Sequence, residues 1–551
     1  MPTLCPAWAM RVTWPLEKNY NMFQSQQLEF EKTGSLNALV LHYLQQKENL
    51  KPFYGAFPDA AGIAAALSLD PYKSFDRDTL VKTLEGQHQR VSNGHPSSLT
   101  NIQALASQTA YTITTGHQLC LFTGPLYFIY KIISVIKLSR QLSQQHQGLQ
   151  FVPVYWMASE DHDFEEINHA TLFGKTLQWE STQKGAVGAF SLDTINPVLE
   201  QMREIAGSAP HAKELMQLFE EAYHHSNLAD ATRYLVNGLF GRFGLVVVDG
   251  QDKALKKQSL PLMKRDIFEQ GLYPSVKQSI DALQQHGYEA QVNPREINFF
   301  YLDKGMRARL EKDGESFKVV GENLTFTKSQ IEHLMQEEPD RFSPNVVVRP
   351  LFQQLILPNL AYIGGPGEIA YWLEFKRMFD LEGVFFPLLI PRDFMTQVDK
   401  GLANKIEKLG FDAAAFFNSE TDLIQAFQLK HNKVFEAENF KSEMREIYTK
   451  LNESIVQIDK SLGGSVSAEL QKVLSGMDVL VAKTNKALKQ QSETELSQIK
   501  NIKQKLFPNG VPQERVENFT PYYLKHGSAW LDALMAEANP LSFSQKILLE
   551  V

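Results

Sequence analysis

From Tyr111 onward, short β-rich runs alternate with amphipathic helical stretches, the pattern of a parallel sheet wound by helices. The runs are Tyr111–Thr115, Phe151–Met157, Leu245–Val248, Leu360–Ile363 and Val384–Ile390. Helical stretches between them include Leu126–Leu142, Lys213–Phe243 and Glu368–Phe379. An α/β fold with a doubly wound, Rossmann-like parallel sheet follows from this order. Between Asn298 and Glu337 the texture becomes hairpin-like, with turn glycines at Gly305, Gly314 and Gly321, and reads as an insertion at about 298–340.

The first hundred residues read as a helical and loop-like segment on that core, with Leu36, Leu39, Val40, Tyr43 and Leu44 at helical spacing. After Asp393 the β signal vanishes. Ile447, Leu451, Ile455, Ile458 and Leu462 step by threes and fours, and Leu470, Leu474, Met477, Val481 and Leu488 do nearly the same. Two long helices around a Gly463-Gly464 turn predict an antiparallel coiled-coil arm. The expected organisation is 1–100, a core over 101–395, a helical coiled-coil domain over 396–506, and a tail over 507–551 that returns to the core.

Composition limits what such a fold serves. Lys and Arg number 55 against 63 Asp and Glu, a net charge of −8, and no long basic run occurs. That balance lacks the electrostatic footprint of nucleic-acid or anionic-membrane binding. The most apolar stretch, Leu119–Leu138, carries Lys131 and Lys137 and does not read as a membrane span. The N-terminus has no basic region followed by an apolar one, so no secretory signal is expected and the location is read as cytoplasmic. Cys5 and Cys120 form no C-x-x-C, which excludes a disulfide framework and a thiolate zinc site. Cys120, among Leu119, Leu121 and Phe122, reads as an inert buried thiol. Met10 is an alternative start that would make Met1–Ala9 dispensable.

Three polar segments sit at strand ends, where doubly wound sheets place their ligands. In the first, a strand ends in Gly116-His117-Gln118, and Gly124-Pro125 opens a helix whose free N–H groups favour an anion. His117 there stabilises charge or caps a turn. The second is Glu160-Asp161-His162-Asp163, where carboxylates beside a histidine suit holding or deprotonating an ammonium group. Metal ligation by His162, Asp163 and His169 is the competing reading, although the two histidines are not at helical i,i+4 spacing. The third is Gly364-Gly365-Pro366-Gly367-Glu368, where backbone comes close to a ligand and Glu368 and Tyr371 share a helix face. Arg349 is a candidate for a carboxylate, and Arg392 is expected in an internal pair with Asp393. No G-x-x-x-x-G-K-[ST] loop occurs.

Thr115-Gly-His-Gln118 with Thr123-Gly-Pro-Leu-Tyr127, Trp156-Met-Ala-Ser-Glu-Asp-His-Asp163 with Asn168-His169, and Ala361-Tyr-Ile-Gly-Gly-Pro-Gly-Glu-Ile-Ala-Tyr371 together resemble BshC. This family is assigned the cysteine ligation of bacillithiol biosynthesis. The resemblance runs from Leu50-Lys-Pro-Phe-Tyr54 to Pro512-Gln-Glu-Arg-Val516. It implies a core like that of class I aminoacyl-tRNA synthetases, connecting insertions, and a coiled-coil arm that pairs two protomers as a homodimer. The implied reaction adds L-cysteine to glucosaminyl malate. His117, Asp161, His162 and Asp163 would then be catalytic. Gly116, Gln118, Gly124, Glu160, Arg349, Gly365, Gly367, Glu368 and Tyr371 would bind substrate. The activating cofactor stays open: ATP fits the synthetase likeness, but neither a Walker loop nor a Lys-Met-Ser-Lys-Ser element is present, and Lys304-Gly-Met-Arg307 is not one. Two alternatives stand beside this reading, a metal-assisted hydrolase or deacetylase using Asp161-His162-Asp163 and a non-catalytic coiled-coil scaffold.

Overall fold

Five strands form a wholly parallel sheet in the order Leu388–Pro391, Asn359–Gly364, Ala110–His117, Gln150–Met157, Val246–Asp249. Four of them are nearly continuous apolar runs because both faces are covered, while in Ala110–His117, buried at every residue, the hydroxyls of Thr112 and Thr114 donate to Asn359 Oδ1. The order reverses between Ala110–His117 and Asn359–Gly364, as in doubly wound folds. This is a computed structural model describing residues 22–69, 72, 75–431 and 433–551. Cys5, Met10 and the choice of start lie outside the described residues.

Two compact units divide the described residues: 22–396 with 513–549 and 551, and 397–512 with 550. In the first unit, the Tyr127–Gln145 helix packs on the central strands with Ile129, Ile132, Ile133 and Ile136 fully buried. The insertion is a second, five-stranded antiparallel sheet in the order Thr325–Thr327, Ser316–Val319, Met306–Asp313, Phe299–Asp303, Phe342–Pro344. Its turns at Gly305, Gly314 and Gly321 use the left-handed φ values that glycine tolerates.

Several expectations need correcting. The segment expected as one helix over Lys213–Phe243 is broken, because the Asn227 side chain accepts from Asp230 N and starts a new helix at Leu228. Glu368–Phe379 is likewise two helices, Pro366–Leu373 and Lys376–Leu381. The last core strand begins only at Leu388, after Pro387, which has no N–H for a ladder. Strands also occur at Phe23–Glu29, Phe394–Val398 and Ser544–Glu550, where helix, loop or no β signal was expected.

The second unit is helical, with long helices Glu438–Ile458 and Gly463–Gln491 packed on each other. The turn between them is Asp459–Leu462, capped by the Asp459 side chain, while Gly463 is already helical. Val466 and Leu474 are buried on the second helix, whereas Ile447, Leu451, Ile458 and Leu462, expected in the seam, face outward.

Candidate active site

A cavity of about 730 Å³ opens at the carboxyl ends of the parallel strands, where the strand order reverses. Gly116 and His117 end one strand and Gly364–Gly365 end its neighbour, so both strand ends border the cavity. A Cβ on Gly116 would lie 3.1 Å from the Tyr362 hydroxyl, which explains the glycine at this close approach.

Below the strand ends, the ammonium of Lys131 is paired with the Glu368 carboxylate and donates to the Gly116 carbonyl at 2.9 Å. Glu368 also accepts from the Tyr362 hydroxyl at 2.7 Å and from Gly365 N at 2.7 Å. The second bond satisfies the N-cap N–H at the start of the Pro366–Leu373 helix. Burial alone would raise the Glu368 carboxyl, but Lys131 and these bonds hold it below its ordinary value. Burial also pushes His117 well below its ordinary value, with Lys131 and Arg392 adding to the effect, so the imidazole is neutral. Its ring packs against Tyr127 and Phe128, and Cys120 Sγ lies 3.8 Å from Nε2. Burial lifts the Cys120 thiol to about 12, which keeps it protonated.

Across the cavity, Asp161 accepts from Gln118 Nε2 at 2.9 Å and from His162 N at 2.7 Å. Burial would raise its carboxyl, but hydrogen bonds from His162 and Gln118 and the Arg307 charge outweigh that and hold it well below the carboxylate range. Glu160 pairs with buried Lys256 at 2.5 Å and accepts from the Ser343 hydroxyl at 2.8 Å. The inserted sheet supplies the facing wall. There Arg307 donates to His162 Nδ1 at 2.9 Å and to Ser343 Oγ at 3.1 Å, with its guanidinium 4.0 Å from the Phe300 ring centre. Arg349 donates to Gln353 at 3.0 Å, with Tyr371 as a hydrogen-bonding and Tyr362 as an electrostatic neighbour.

Of the residues singled out in the sequence, Gly116, His117, Gln118, Glu160, Asp161, Arg349, Gly365, Gly367, Glu368 and Tyr371 line this one cavity. Three do not. Gly124 lies outside the lining: its carbonyl accepts from Asn518 Nδ2, and the following Leu126 N donates to Glu517 O, so that helix start is already occupied. His162, which accepts from Arg307, and Asp163 are both exposed and outside the lining. Arg392 pairs with Glu514 rather than Asp393, in a bidentate contact of 2.6 and 3.0 Å, while Asp393 accepts from Lys546 and Ser134. Among the described residues, no three His, Cys, Asp or Glu side chains group as metal ligands.

Sequence reasoning missed Lys131, Arg295, Arg307, Arg309 and Arg515 in the lining. Signals existed for three of them. Lys131 is a charge inside the most apolar stretch of the chain, and Arg307 and Arg309 are two apart on a strand and so share a face. In all, seven Lys and Arg line the cavity against four Asp and Glu.

Residues 23–393 match the family described as "Bacillithiol biosynthesis BshC, N-terminal Rossmann-like domain", and residues 395–550 match "Bacillithiol biosynthesis BshC, C-terminal coiled-coil domain". A Flavobacterium johnsoniae protein named "Putative cysteine ligase BshC" is 37% identical over 525 residues, covering 95% of this chain and 99% of its own. A Cytophaga hutchinsonii protein of the same name is 38% identical over 527 residues, covering 95% and 98%. A solved Campylobacter jejuni structure titled as a "putative arginyl t-RNA synthetase" overlaps at a TM-score of 0.21 and 11% identity. It covers 81% of this chain and 98% of its own. That likeness is too slight to add to what the sheet order establishes.

Proposed function

The chain belongs to the BshC family of bacillithiol biosynthesis, and from that premise we propose that it is a ligase joining the carboxyl of L-cysteine to the amine of glucosaminyl malate. The observation that carries this reading is the charge of the cavity, seven cationic side chains against four carboxylates at the switch point of the sheet. An acceptor carrying the two carboxylates of malate calls for such a surplus. Arg349, which lines the cavity, receives one carboxylate. Arg295 at the rim and the start of the Pro366–Leu373 helix receive the other.

The amine nitrogen attacks the activated acyl carbon; the C–N bond forms, the bond to the activating group breaks, and the nitrogen gives up a proton. A carboxylate as acidic as Asp161 is a weak base and a good partner for an ammonium, so it holds the amine in place. The nitrogen's proton leaves with the activating group, and neutral His117, with Lys131 and Arg392 as charged neighbours, donates a hydrogen bond to the acyl oxygen as negative charge develops on it.

The same reading makes the protein a cytoplasmic homodimer paired through its arm. Phe440, Ile447, Leu451 and Ile458 are 54%, 56%, 44% and 86% exposed. Their spacing sets them on one stripe of the Glu438–Ile458 helix, an apolar face suited to a second copy.

The test is to place the gene in a bacillithiol-making strain that lacks its own ligase and to measure thiols by mass spectrometry. Restored bacillithiol with falling glucosaminyl malate is expected. Abundant, folded protein with glucosaminyl malate still accumulating would overturn the proposal. So would full restoration by a His117→Ala, Asp161→Ala double variant, as far as the site is concerned.

A further inference from the structure

Two fully buried carboxylates that do not line the cavity hold the same loop of its wall. The loop, residues 288–298, has no helix or strand of its own and carries Arg295 and Ile297 to the cavity. Asp266, at the end of the Leu260–Ile267 helix, accepts from Asn298 N at 2.5 Å and from Asn298 Nδ2 at 3.0 Å. Glu374, just past the Pro366–Leu373 helix, accepts from Gln291 N at 2.7 Å and Val292 N at 3.2 Å.

Asn298 is the hub through which the first contact spreads. Its side chain donates to Arg295 O at 2.7 Å and accepts from Arg295 N at 3.1 Å. It also accepts from Asn345 Nδ2 at 3.1 Å, and its carbonyl accepts from Asn345 N at 2.9 Å. Asn345 in turn accepts from Val347 N at 2.9 Å, and its carbonyl accepts from Arg349 N at 2.9 Å, which fixes the start of the Arg349–Ile356 helix. An unbroken hydrogen-bonded path thus joins Asp266 to the backbone of both Arg295 and Arg349.

Burying a carboxylate is costly, and an apolar side chain would fill a core as well. Both of these carboxylates instead satisfy backbone N–H groups of one irregular segment, which without them would have little to order it. We infer that Asp266 and Glu374 are positioning residues of the active site: Asp266, acting through Asn298, sets where Arg295 and Arg349 stand, and Glu374 fixes the other half of the loop. The ligand class so recognised is a dicarboxylate such as the malate half of the acceptor, and that part rests on the function proposed above.

The test uses the full chain with L-malate as the probe. Asp266→Asn and Glu374→Gln keep side-chain size but turn one acceptor oxygen into a donor facing an N–H. Malate binding is measured by calorimetry, and deuterium exchange is followed over 288–298 and 345–349. Asp266→Asn is expected to weaken malate binding about tenfold or more, with faster exchange in both segments and unchanged exchange in the core strands. Glu374→Gln is expected to speed exchange at 288–298, with a smaller loss of affinity. Both variants binding malate as the parent does, with exchange unaltered, would overturn the inference. Should the parent itself not take malate, the dicarboxylate reading of the cavity fails, and loop exchange alone decides the clamp: faster in the variants keeps it, unchanged removes it. If Asp266→Asn does not fold, Glu374→Gln carries the same two measurements.

Discussion

The ammonium of Lys131 rests against the carboxylate of Glu368 directly below the Gly116 carbonyl, so one buried ion pair ties the long core helix to both strand ends of the switch point. Such a pair is more costly to break than to replace, because removing one partner leaves the other charged and unpaired in the core. Lys131→Met or Glu368→Leu alone should cost about 3–5 kcal/mol of stability, read by urea unfolding. The double variant should recover a large part of that loss yet remain inactive. Additive losses in the double variant would mean that the two groups do not act as a pair.

Gly116 carries a second prediction. Its backbone is extended and can accept a side chain, but a Cβ would press on the Tyr362 hydroxyl that holds Glu368 and approach Arg349 Nη1 at 3.9 Å. Gly116→Ala should therefore leave thermal stability nearly unchanged and lower turnover by about tenfold or more. Unaltered kcat and KM would show that the site tolerates the displacement.

The parts of this site that were legible in the sequence are those built by short local segments. Gly116-His117-Gln118 and Gly364–Gly367 announce themselves as polar, glycine-rich endings of buried strands, and the sheet rule brings such endings together. Arg307 comes from the insertion and Arg295 from the loop leading into it, and no local periodicity says that a wall nearly 150 residues along the chain will face Asp161. Gly124 misled for a related reason. Its Gly-Pro signature does precede a helix, but Asn518, far along the chain, occupies the carbonyls there. In the arm, the heptad spacing was legible, while the partner of each stripe was not. Periodicity gives a face and not what covers it, and Ile447 and Ile458 turn away from the helix expected to bury them.

That outward stripe makes a prediction of its own. Ile447→Glu with Ile458→Glu alters two exposed positions, so the helix and its packing on Gly463–Gln491 should persist by circular dichroism. Two carboxylates on an apolar seam repel and desolvate at a dimer contact, so sedimentation should show the unaltered chain as two copies and the variant as one. A monomeric parent chain would remove the arm from any role in pairing.

The last prediction concerns pH and separates carboxylates whose environments differ. Burial lifts the Asp266 carboxyl to about 7, outweighing the two bonds from Asn298, and it lifts Glu374 to about 7 against the bonds from Gln291 and Val292. In the unfolded chain both titrate near pH 4. Between pH 4 and 7 the folded protein therefore binds more protons than the unfolded one at these positions. Their contribution is fully present below pH 4 and is lost as pH rises through about 7, by up to about 4 kcal/mol each. Asp161 works in the opposite sense, since its carboxyl is held low by hydrogen bonds and Arg307. Its contribution is present above pH 4 and lost only in stronger acid, outside the same window. Comparing the unaltered chain with Asp266→Asn by urea unfolding at pH 5 and pH 7.5 isolates the first effect. The unaltered chain should gain on the variant at pH 5 relative to pH 7.5, whereas the difference between the unaltered chain and Asp161→Asn should barely change. A difference from Asp266→Asn that is the same at both pH values would mean that Asp266 stays ionised in its buried seat, and that the Asn298 bonds outweigh the burial there.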